Sequence, residues 1–210
     1  MASSAFSSQG SLLAIGTGSG AAKTITAVTL GNPTIVTSTA HGLNVGDVVT
    51  IAGVTGSVAV NGVWTVAYKT ANTLALELDT TGGAAYVSGG TATPVVFTQI
   101  ANIKSFSGFD GSASEIDVTN LASTAKEYRL GLTDPGQFTI EIDYDNTNFG
   151  HAALRSKQVS GLLSNFQLTL PNANVITFTG YVKKFALAGG VDAVAKTAVD
   201  IRISGAITGL

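Results

Sequence analysis

The chain has 210 residues, which is enough for one larger domain or two small ones, each with a core of its own. Charged residues make up only 11% of it, against roughly 25% in a typical soluble domain. The net charge of −2 indicates no general attraction to nucleic acid or to a membrane surface. The absence of cysteine excludes disulfides and thiolate metal sites.

Threonine and serine, with 27 and 18 residues, take the place of the missing charges. Branched side chains fit a pleated surface, so this composition favours β structure. It is typical of a subunit that hides its surface against copies of itself, and equally of a secreted β domain with a neutral exterior. No apolar run approaches the ~20 residues that span a bilayer. Residues 1–10 lack the basic and apolar regions of a secretion signal, so we expect a flexible arm on a protein that starts in the cytoplasm where it is made.

In chain order, residues 11–15 could form a first strand, and the glycine-rich residues 16–20 are typical of a linker. Short Thr/Val/Ile runs follow, with Trp64, Val66 and Tyr68 on one face of their strand. Turns are predicted at residues 61–62, 82–83 and 89–90. The predicted strands cover residues 25–30, 34–37, 48–51, 63–68 and 74–78. We interpret residues 23–93 as a small β domain inserted into a host domain made of residues 1–22 and 94–210.

The host domain is predicted to be a β-sandwich or barrel. Residues 95–106 give one or two strands, and a turn at residues 134–136 leads into the cleanest half-buried strand of the chain. Alternation also predicts strands over residues 115–119, 138–144, 166–170, 176–178 and 199–203. One helix fits, capped by Thr147 or Asn148 and ended by Gly161. Its predicted apolar side consists of Phe149, Ala152, Ala153 and Leu154. The fold class is therefore mostly all-β with one short helix.

Charge is distributed unevenly along the host domain. Residues 110–145 contain eight acids and two bases, a net of −6, whereas residues 151–202 contain six bases and two acids, a net of +4. The two segments could form complementary faces that meet between neighbouring subunits. They could equally be ordinary solvated strand faces.

Nothing in the sequence supports a reaction, a cofactor or a metal. Residues 16–24 differ from a phosphate-binding loop because Ala22 precedes Lys23 and no helix pattern follows. His41 and His151 each lack a second histidine nearby, so we expect them to support a turn and a helix–sheet border. The acidic residues at 141, 143 and 145 alternate with apolar residues, as the residues of a strand face exposed to solvent or to a neighbouring subunit would.

Several short motifs in order resemble the major tail tube protein of siphovirus-type phages. They are residues 103–110, then Ile116-Asp117-Val118-Thr119, then Leu121 to Tyr128, then Gly131-Leu132-Thr133-Asp134-Pro135-Gly136, and the closing residues 201–207. The resemblance covers roughly residues 1–20 and 95–210. Residues 40–54 and 61–66 in turn resemble a small β module found in many phage structural proteins.

This resemblance implies a virion structural protein and not an enzyme. Hexameric rings would stack into a tube that meets tape measure, terminator and tail tip proteins, and DNA would pass through the lumen without specific binding. The acid-rich stretch could make that lumen negative, and the insert would project outward, since it would otherwise block the bore. The predicted subunit-interface residues are Asp117, Thr119, Lys126, Glu127 and Asp134. The alternative is a host-surface or glycan-binding module, with Trp64, Tyr68 and Tyr86 as an aromatic platform, although alternation favours core packing for Trp64.

Overall fold

A computed structural model describes residues 5–210, so the first four residues of the expected arm lie outside the described part. The chain divides into two compact units. Unit 1 comprises the residues up to Ile15 together with Gln99–Leu210, and unit 2 comprises Gly16–Thr98. Among residues 5–210, no helix has both the length and the apolar character needed to cross a membrane.

Unit 1 is an antiparallel sheet with one helix. Its strands are β1 (Leu12–Ser19, which continues into unit 2), β9 (Ile103–Gly108), β12 (Gln137–Asp143), β13 (Ser164–Thr169), β14 (Val175–Ala188) and β15 (Lys196–Ile203). They are hydrogen-bonded in the order β1-β13-β14-β15-β12-β9. A separate two-stranded sheet, β10 (Ser112–Asp117) and β11 (Tyr128–Asp134), lies between β9 and β12 in the sequence.

Period-two alternation builds the core of unit 1. Along β12 the side chains of Phe138, Ile140 and Ile142 are buried, while Thr139 and Glu141 point the other way. The other strands supply the rest of one apolar cluster, which includes Leu13, Phe166, Leu168, Phe178, Val199 and Ile201. Phe138 lies 5.2 Å from Phe178 between ring centroids, within the range of favourable aromatic pairs. The predicted mostly β fold with alternating strands is confirmed.

The helix α1 (Phe149–Ser160) begins and ends where its capping residues predict. The Asn148 side chain accepts a hydrogen bond from the His151 N–H, and Gly161 ends the helix in the left-handed conformation, at φ +65°. The predicted apolar side of α1 is only partly right: Leu154 is buried and Ala153 half-buried, but Phe149 is 81% exposed and Ala152 is exposed as well. Gly150 faces inward instead: a Cβ there would lie 2.3 Å from the Gln99 carbonyl oxygen, which leaves no room for a larger residue.

Unit 2 is a second small β structure with its own core. Its strands are β2 (Lys23–Thr24), β3 (Ala27–Thr29), β4 (Thr34–Thr37), β5 (Val48–Ala52), β6 (Gly62–Lys69), β7 (Thr73–Leu76) and β8 (Thr91–Ile100, which continues into unit 1), with a 3-10 turn at Val58–Val60. The order is β3-β4-β7-β6-β5-β8, and β2 pairs with β8. The core contains Val36, Val49, Ile51, Val66, Leu74 and Leu76.

Two predictions for this region are wrong. Residues 16–19 belong to β1 and are not a linker, because the strand continues beside β8: the Thr17 and Thr98 hydroxyl oxygens are 2.8 Å apart, and the Gly20 N–H donates to the Pro94 carbonyl oxygen at 2.8 Å. Tyr68 does not share the face of buried Val66, because a β-bulge between them shifts the alternation. Tyr68 is consequently 65% exposed.

Candidate assembly surface

The hairpin formed by β10, β11 and the connecting residues 118–127 is the least supported part of unit 1. The two strands pair from Ser112↔Asp134 to Asp117↔Tyr128, with a bulge after Ala113. Only one residue of each strand, Ala113 and Gly131, is even half-buried, and the rest are exposed. An isolated two-stranded hairpin is marginally stable in water. This hairpin therefore needs either local bonds or a partner to hold its shape.

Local hydrogen bonds close the far end of the hairpin. The Thr119 N–H donates to the Asp117 carboxylate at 2.9 Å, and the Glu127 N–H donates to the Thr119 hydroxyl oxygen at 3.0 Å. The Val118 N–H donates to the Glu127 carbonyl oxygen at 2.9 Å. The hydrogen bonds from Thr119 lower the pKa of Asp117 below its ordinary value. The ionised carboxylate thus fixes the turn that the strands need.

The base of the hairpin is tied to the main sheet. Asp134 forms an ion pair with Arg202 of β15 and accepts a hydrogen bond from the Gly136 N–H at 2.9 Å. The hydrogen bond from the Gly136 N–H, and after it the contact with Arg202, lower the pKa of Asp134 below its ordinary value. Asp110 accepts from the Gln137 N–H at 3.0 Å. The hairpin is therefore anchored at its root while its strands extend without packing.

Several apolar side chains of the two hairpin strands are exposed to solvent. Leu132 is 92% exposed, Leu130 75%, Ile116 52% and Tyr128 51%. At the far end Leu121 is fully exposed. Leu130 is paired with Glu115 and Ile116 with Arg129, so Leu130 and Ile116 lie on opposite faces of the hairpin. Exposed apolar side chains of this kind are typical of a surface that another protein covers.

All five predicted interface residues lie on this hairpin. Asp117, Thr119 and Asp134 hold its turn and its root, whereas Lys126 and Glu127 present exposed side chains beside the turn. Sequence reasoning missed the leucines at 130 and 132. The alternation Tyr128, Leu130, Leu132 could have revealed them, but it predicts a half-buried strand and gives no hint that nothing in the subunit buries it.

Several charges outside the hairpin pair within the subunit. Lys196 lies 3.0 Å from Glu141, and Lys104 lies 3.0 Å from Asp143, across neighbouring strands. Lys184 and Asp200 are 3.9 Å apart. Glu141 raises the pKa of Lys196 by a hydrogen bond and by its charge. For these residues the structure favours the solvated strand face over a charge contact between subunits, and it separates them from the hairpin acids.

The remaining candidates for chemistry have structural roles. The His41 Nδ1 accepts from the Leu43 N–H at 3.0 Å and its Nε2 lies 3.0 Å from the Thr70 carbonyl oxygen, so it supports a turn, as predicted. His151 is buried, with Nε2 2.9 Å from the Ala101 carbonyl oxygen, at the predicted helix–sheet border. Residues 5–210 contain no cluster of three or more His, Asp or Glu side chains that could hold a metal.

The three aromatic residues suggested as a platform differ in their exposure. Trp64 is half-buried against the core, and its indole N–H donates to the Val60 carbonyl oxygen at 2.7 Å. The Tyr86 hydroxyl donates to the carbonyl oxygen of Gly89 at 3.0 Å. Only Tyr68 presents its ring to solvent. Core packing, which alternation favours for Trp64, agrees with these contacts.

Two β-rich units and an exposed hairpin are typical of a structural β protein. A family model described as "Phage tail tube, TTP, lambda-like" matches residues 77–209. The chain therefore belongs to the lambda-like phage tail tube family, and it is a structural protein of the virion tail. A model of the FCCH domain of the ubiquitin-activating enzyme E1 also matches, over residues 31–96.

Solved structures of gene transfer agent particles are similar to this chain. One is the virion of a native particle, with 18% identity and a TM-score of 0.47, covering 54% of this chain and 88% of that one. Another is the tail of an empty particle, determined with helical refinement and C6 symmetry, with 18% identity and a TM-score of 0.45, covering 63% of this chain and 92% of that one. No curated protein matches the chain significantly.

Proposed function

We propose that this subunit assembles into hexameric rings that stack into the tail tube, with the β10–β11 hairpin as a contact between copies. The observation that carries the proposal is the exposure of Leu130 and Leu132 on strands that no other part of the subunit supports. Asp117, Thr119, Lys126, Glu127 and Asp134 belong to this contact, the first two by shaping the turn. The chain acts as a scaffold and not as an enzyme.

Burial of the hairpin explains why assembly would be favourable. Covering a leucine side chain stabilises a contact by about 1.5–3 kcal/mol. Leu132 at 92% exposure and Leu130 at 75% have nearly all of that free energy still to gain. The same burial would order a hairpin that is marginal alone. Assembly and hairpin order therefore support each other.

Unit 2 fits the expected inserted domain. Its entry and exit strands lie side by side, with the Thr17 and Thr98 hydroxyl oxygens 2.8 Å apart, as an insertion into a continuous host requires. It has its own apolar core. We propose that it projects from the outside of the tube, leaving the bore free for DNA. Tape measure, terminator and tail tip proteins are the other partners that this role implies.

The test replaces the two exposed leucines of β11 and keeps the strand propensity of that segment. Leu130→Thr/Leu132→Thr retains branched side chains that suit a strand. The variant should fold like the wild type by far-UV circular dichroism, yet assemble only at much higher concentration. Sedimentation and negative-stain electron microscopy, with and without purified tail tips as seeds, measure this.

A control variant removes two exposed apolar side chains from unit 2. Val45 is 59% and Val87 73% exposed, so Val45→Ser/Val87→Ser also loses apolar surface, although less than the leucine variant does. We expect this control to assemble as the wild type does. Equal assembly by the hairpin variant and the wild type would refute the hairpin contact.

A further inference from the structure

The first of the two histidines of the chain is buried in a turn of unit 2. We call residues 38–43 the His41 turn; they follow β4 directly. The His41 side chain is 2% exposed, and Leu43, which is 4% exposed, belongs to the core of unit 2. Ala40 has the left-handed conformation, at φ +48°, which costs free energy in a residue that has a Cβ. The turn therefore depends on its hydrogen bonds to stay closed.

The hydrogen bonds of His41 determine both the charge and the tautomer of its ring. The Leu43 N–H donates to Nδ1 at 3.0 Å, so Nδ1 carries no proton. Nε2 lies 3.0 Å from the Thr70 carbonyl oxygen, which can only accept, so Nε2 carries the proton. A second proton, on Nδ1, would remove the acceptor of the Leu43 N–H and place a positive charge away from water. The closed turn therefore accommodates only the neutral ring.

Among residues 5–210, no charged side chain bonds to the His41 ring. The charged residues closest in sequence to the His41 turn and to Thr70 are Asp47 and Lys69, and both bond to Asn44 instead. The Asn44 N–H donates to Asp47 Oδ2 at 2.7 Å, and Lys69 Nζ donates to Asn44 Oδ1 at 2.8 Å. Residues 70–73, which hold the turn from the other side, are all uncharged. A carboxylate that could compensate a protonated ring is therefore not in contact with it.

The other histidine of the chain can take up a proton and keep its contacts. His151 Nδ1 lies 3.1 Å from both the amide nitrogen and the carbonyl oxygen of Asp145, so a proton on Nδ1 has an acceptor within reach. Nε2 lies 2.9 Å from the Ala101 carbonyl oxygen. A doubly protonated ring thus has an acceptor at each nitrogen in His151 but only at Nε2 in His41.

We propose that the His41 turn is a pH-sensitive switch that opens unit 2 locally on acidification. When His41 is protonated, the ring leaves its site, the Leu43 N–H loses its acceptor and the Leu43 side chain leaves the core. The opening ends near Gly46, whose N–H donates to the Val66 carbonyl oxygen at 2.9 Å. Acid therefore changes the surface of unit 2 and leaves unit 1 closed. The switch does not depend on the contact proposed for the hairpin.

Hydrogen exchange of the full chain, followed residue by residue by NMR, measures this opening. The open turn takes up a proton that the closed turn excludes, so closure is undiminished above about pH 6.5, where an ordinary imidazole is neutral, and weakens as the pH falls. Corrected for intrinsic pH effects, the exchange rate of the Leu43 amide should rise about tenfold at pH 5.5 and about a hundredfold at pH 4.5, relative to pH 7.5. The Thr55 amide, which donates to the Ser88 carbonyl oxygen elsewhere in unit 2, should keep its rate.

Two variants assign the effect to His41. His41→Asn removes the titrating ring but keeps an acceptor, because an Asn side chain accepts from the N–H two residues further on. It loses the bond to Thr70, so the Leu43 amide should exchange faster than in the wild type at pH 7.5, yet at the same corrected rate down to pH 4.5. His151→Asn leaves His41 in place and should show the full wild-type rise at Leu43.

Three results would overturn the switch. The first is a Leu43 exchange rate that is equal at pH 4.5 and pH 7.5 in the wild type. The second is the wild-type rise persisting in His41→Asn, since another group would then be responsible. The third is a parallel rise at Thr55, which would mean that unit 2 unfolds as a whole. If His41→Asn does not fold, His41→Gln offers the same amide acceptor, and the wild-type comparison of Leu43 with Thr55 needs neither variant.

Discussion

Excision of unit 2 should leave a folded unit 1 that still assembles. The change replaces residues 18–97 by an Asn-Gly turn, which suits two adjacent antiparallel strands. The neighbouring positions of Thr17 and Thr98 allow this, since their hydroxyl oxygens are 2.8 Å apart. All fifteen buried apolar residues of the unit 1 cluster lie outside the excised segment. An insertion with fixed, adjacent ends constrains its host much as a short turn does, so we expect the free energy of unfolding of unit 1 to change by less than about 1 kcal/mol.

Urea unfolding followed by far-UV circular dichroism measures that free energy. Because the excised 80 residues are about 40% of the chain, the denaturant dependence should fall by a similar fraction. Electron microscopy should show tubes narrower than those of the full chain, without an outer fringe. An excised chain that is insoluble, or destabilised by more than about 3 kcal/mol, would refute the reasoning that unit 2 is an insertion with its own core.

Three further variants test particular contacts. Leu74→Ala removes a fully buried side chain of unit 2 and should lower the free energy of unfolding of that unit by about 2–5 kcal/mol. Urea unfolding followed by the fluorescence of Trp64, the sole tryptophan, measures this. An unchanged urea midpoint would contradict the assigned core. Phe138→Ala should destabilise unit 1 by about 3–5 kcal/mol in urea unfolding followed by circular dichroism, and a loss under 1 kcal/mol would contradict its central position. Asp117→Ala should speed hydrogen exchange at the Thr119 amide while Asp117→Asn, which keeps an acceptor, should not. Because the pKa of Asp117 is depressed, its stabilisation of the turn is fully present above about pH 4 and is lost as pH falls through the lowered value, so exchange rates corrected for intrinsic pH effects should rise only on acidification.

The regular part of the fold could be predicted because local sequence and tertiary packing agree there. β4 occupies the predicted residues 34–37. The helix α1 begins after Asn148 and ends before Gly161, as the capping chemistry of these two residues indicates. The half-buried strand around Phe138 is confirmed as β12. In each case side-chain alternation, or a cap, encodes the element without help from distant residues.

Elements set by distant pairing could not be predicted. Strand propensity predicts a strand over residues 25–30, but only Ala27–Thr29 forms this one. The Ile25 side chain is buried in the core of unit 2, and the Ile25 N–H donates to the Gly90 carbonyl oxygen instead of to a neighbouring strand. β14 extends to Ala188, well beyond the predicted residues 176–178, because β15 pairs along its second half. The local sequence does not indicate which distant strand a segment pairs with.

Sequence reasoning led to the candidate surface only in part. The five predicted interface residues all lie on the β10–β11 hairpin, and their role in a subunit contact stays a prediction. The alternation of β11 was not recognised, and exposure of Leu130 and Leu132 is visible only once the fold shows that no element covers them. Sequence patterns give the spacing of apolar residues; which surface buries them depends on the assembled structure.

The central claim is that this chain builds a tube. Negative-stain electron microscopy of the purified protein at rising concentration, with purified tail tips added in a parallel series, tests it most directly. We expect rings or hollow tubes with an outer fringe, formed by the protein alone or grown from the tips. A protein that stays monomeric at every concentration and also fails to extend the tail tips would contradict the account.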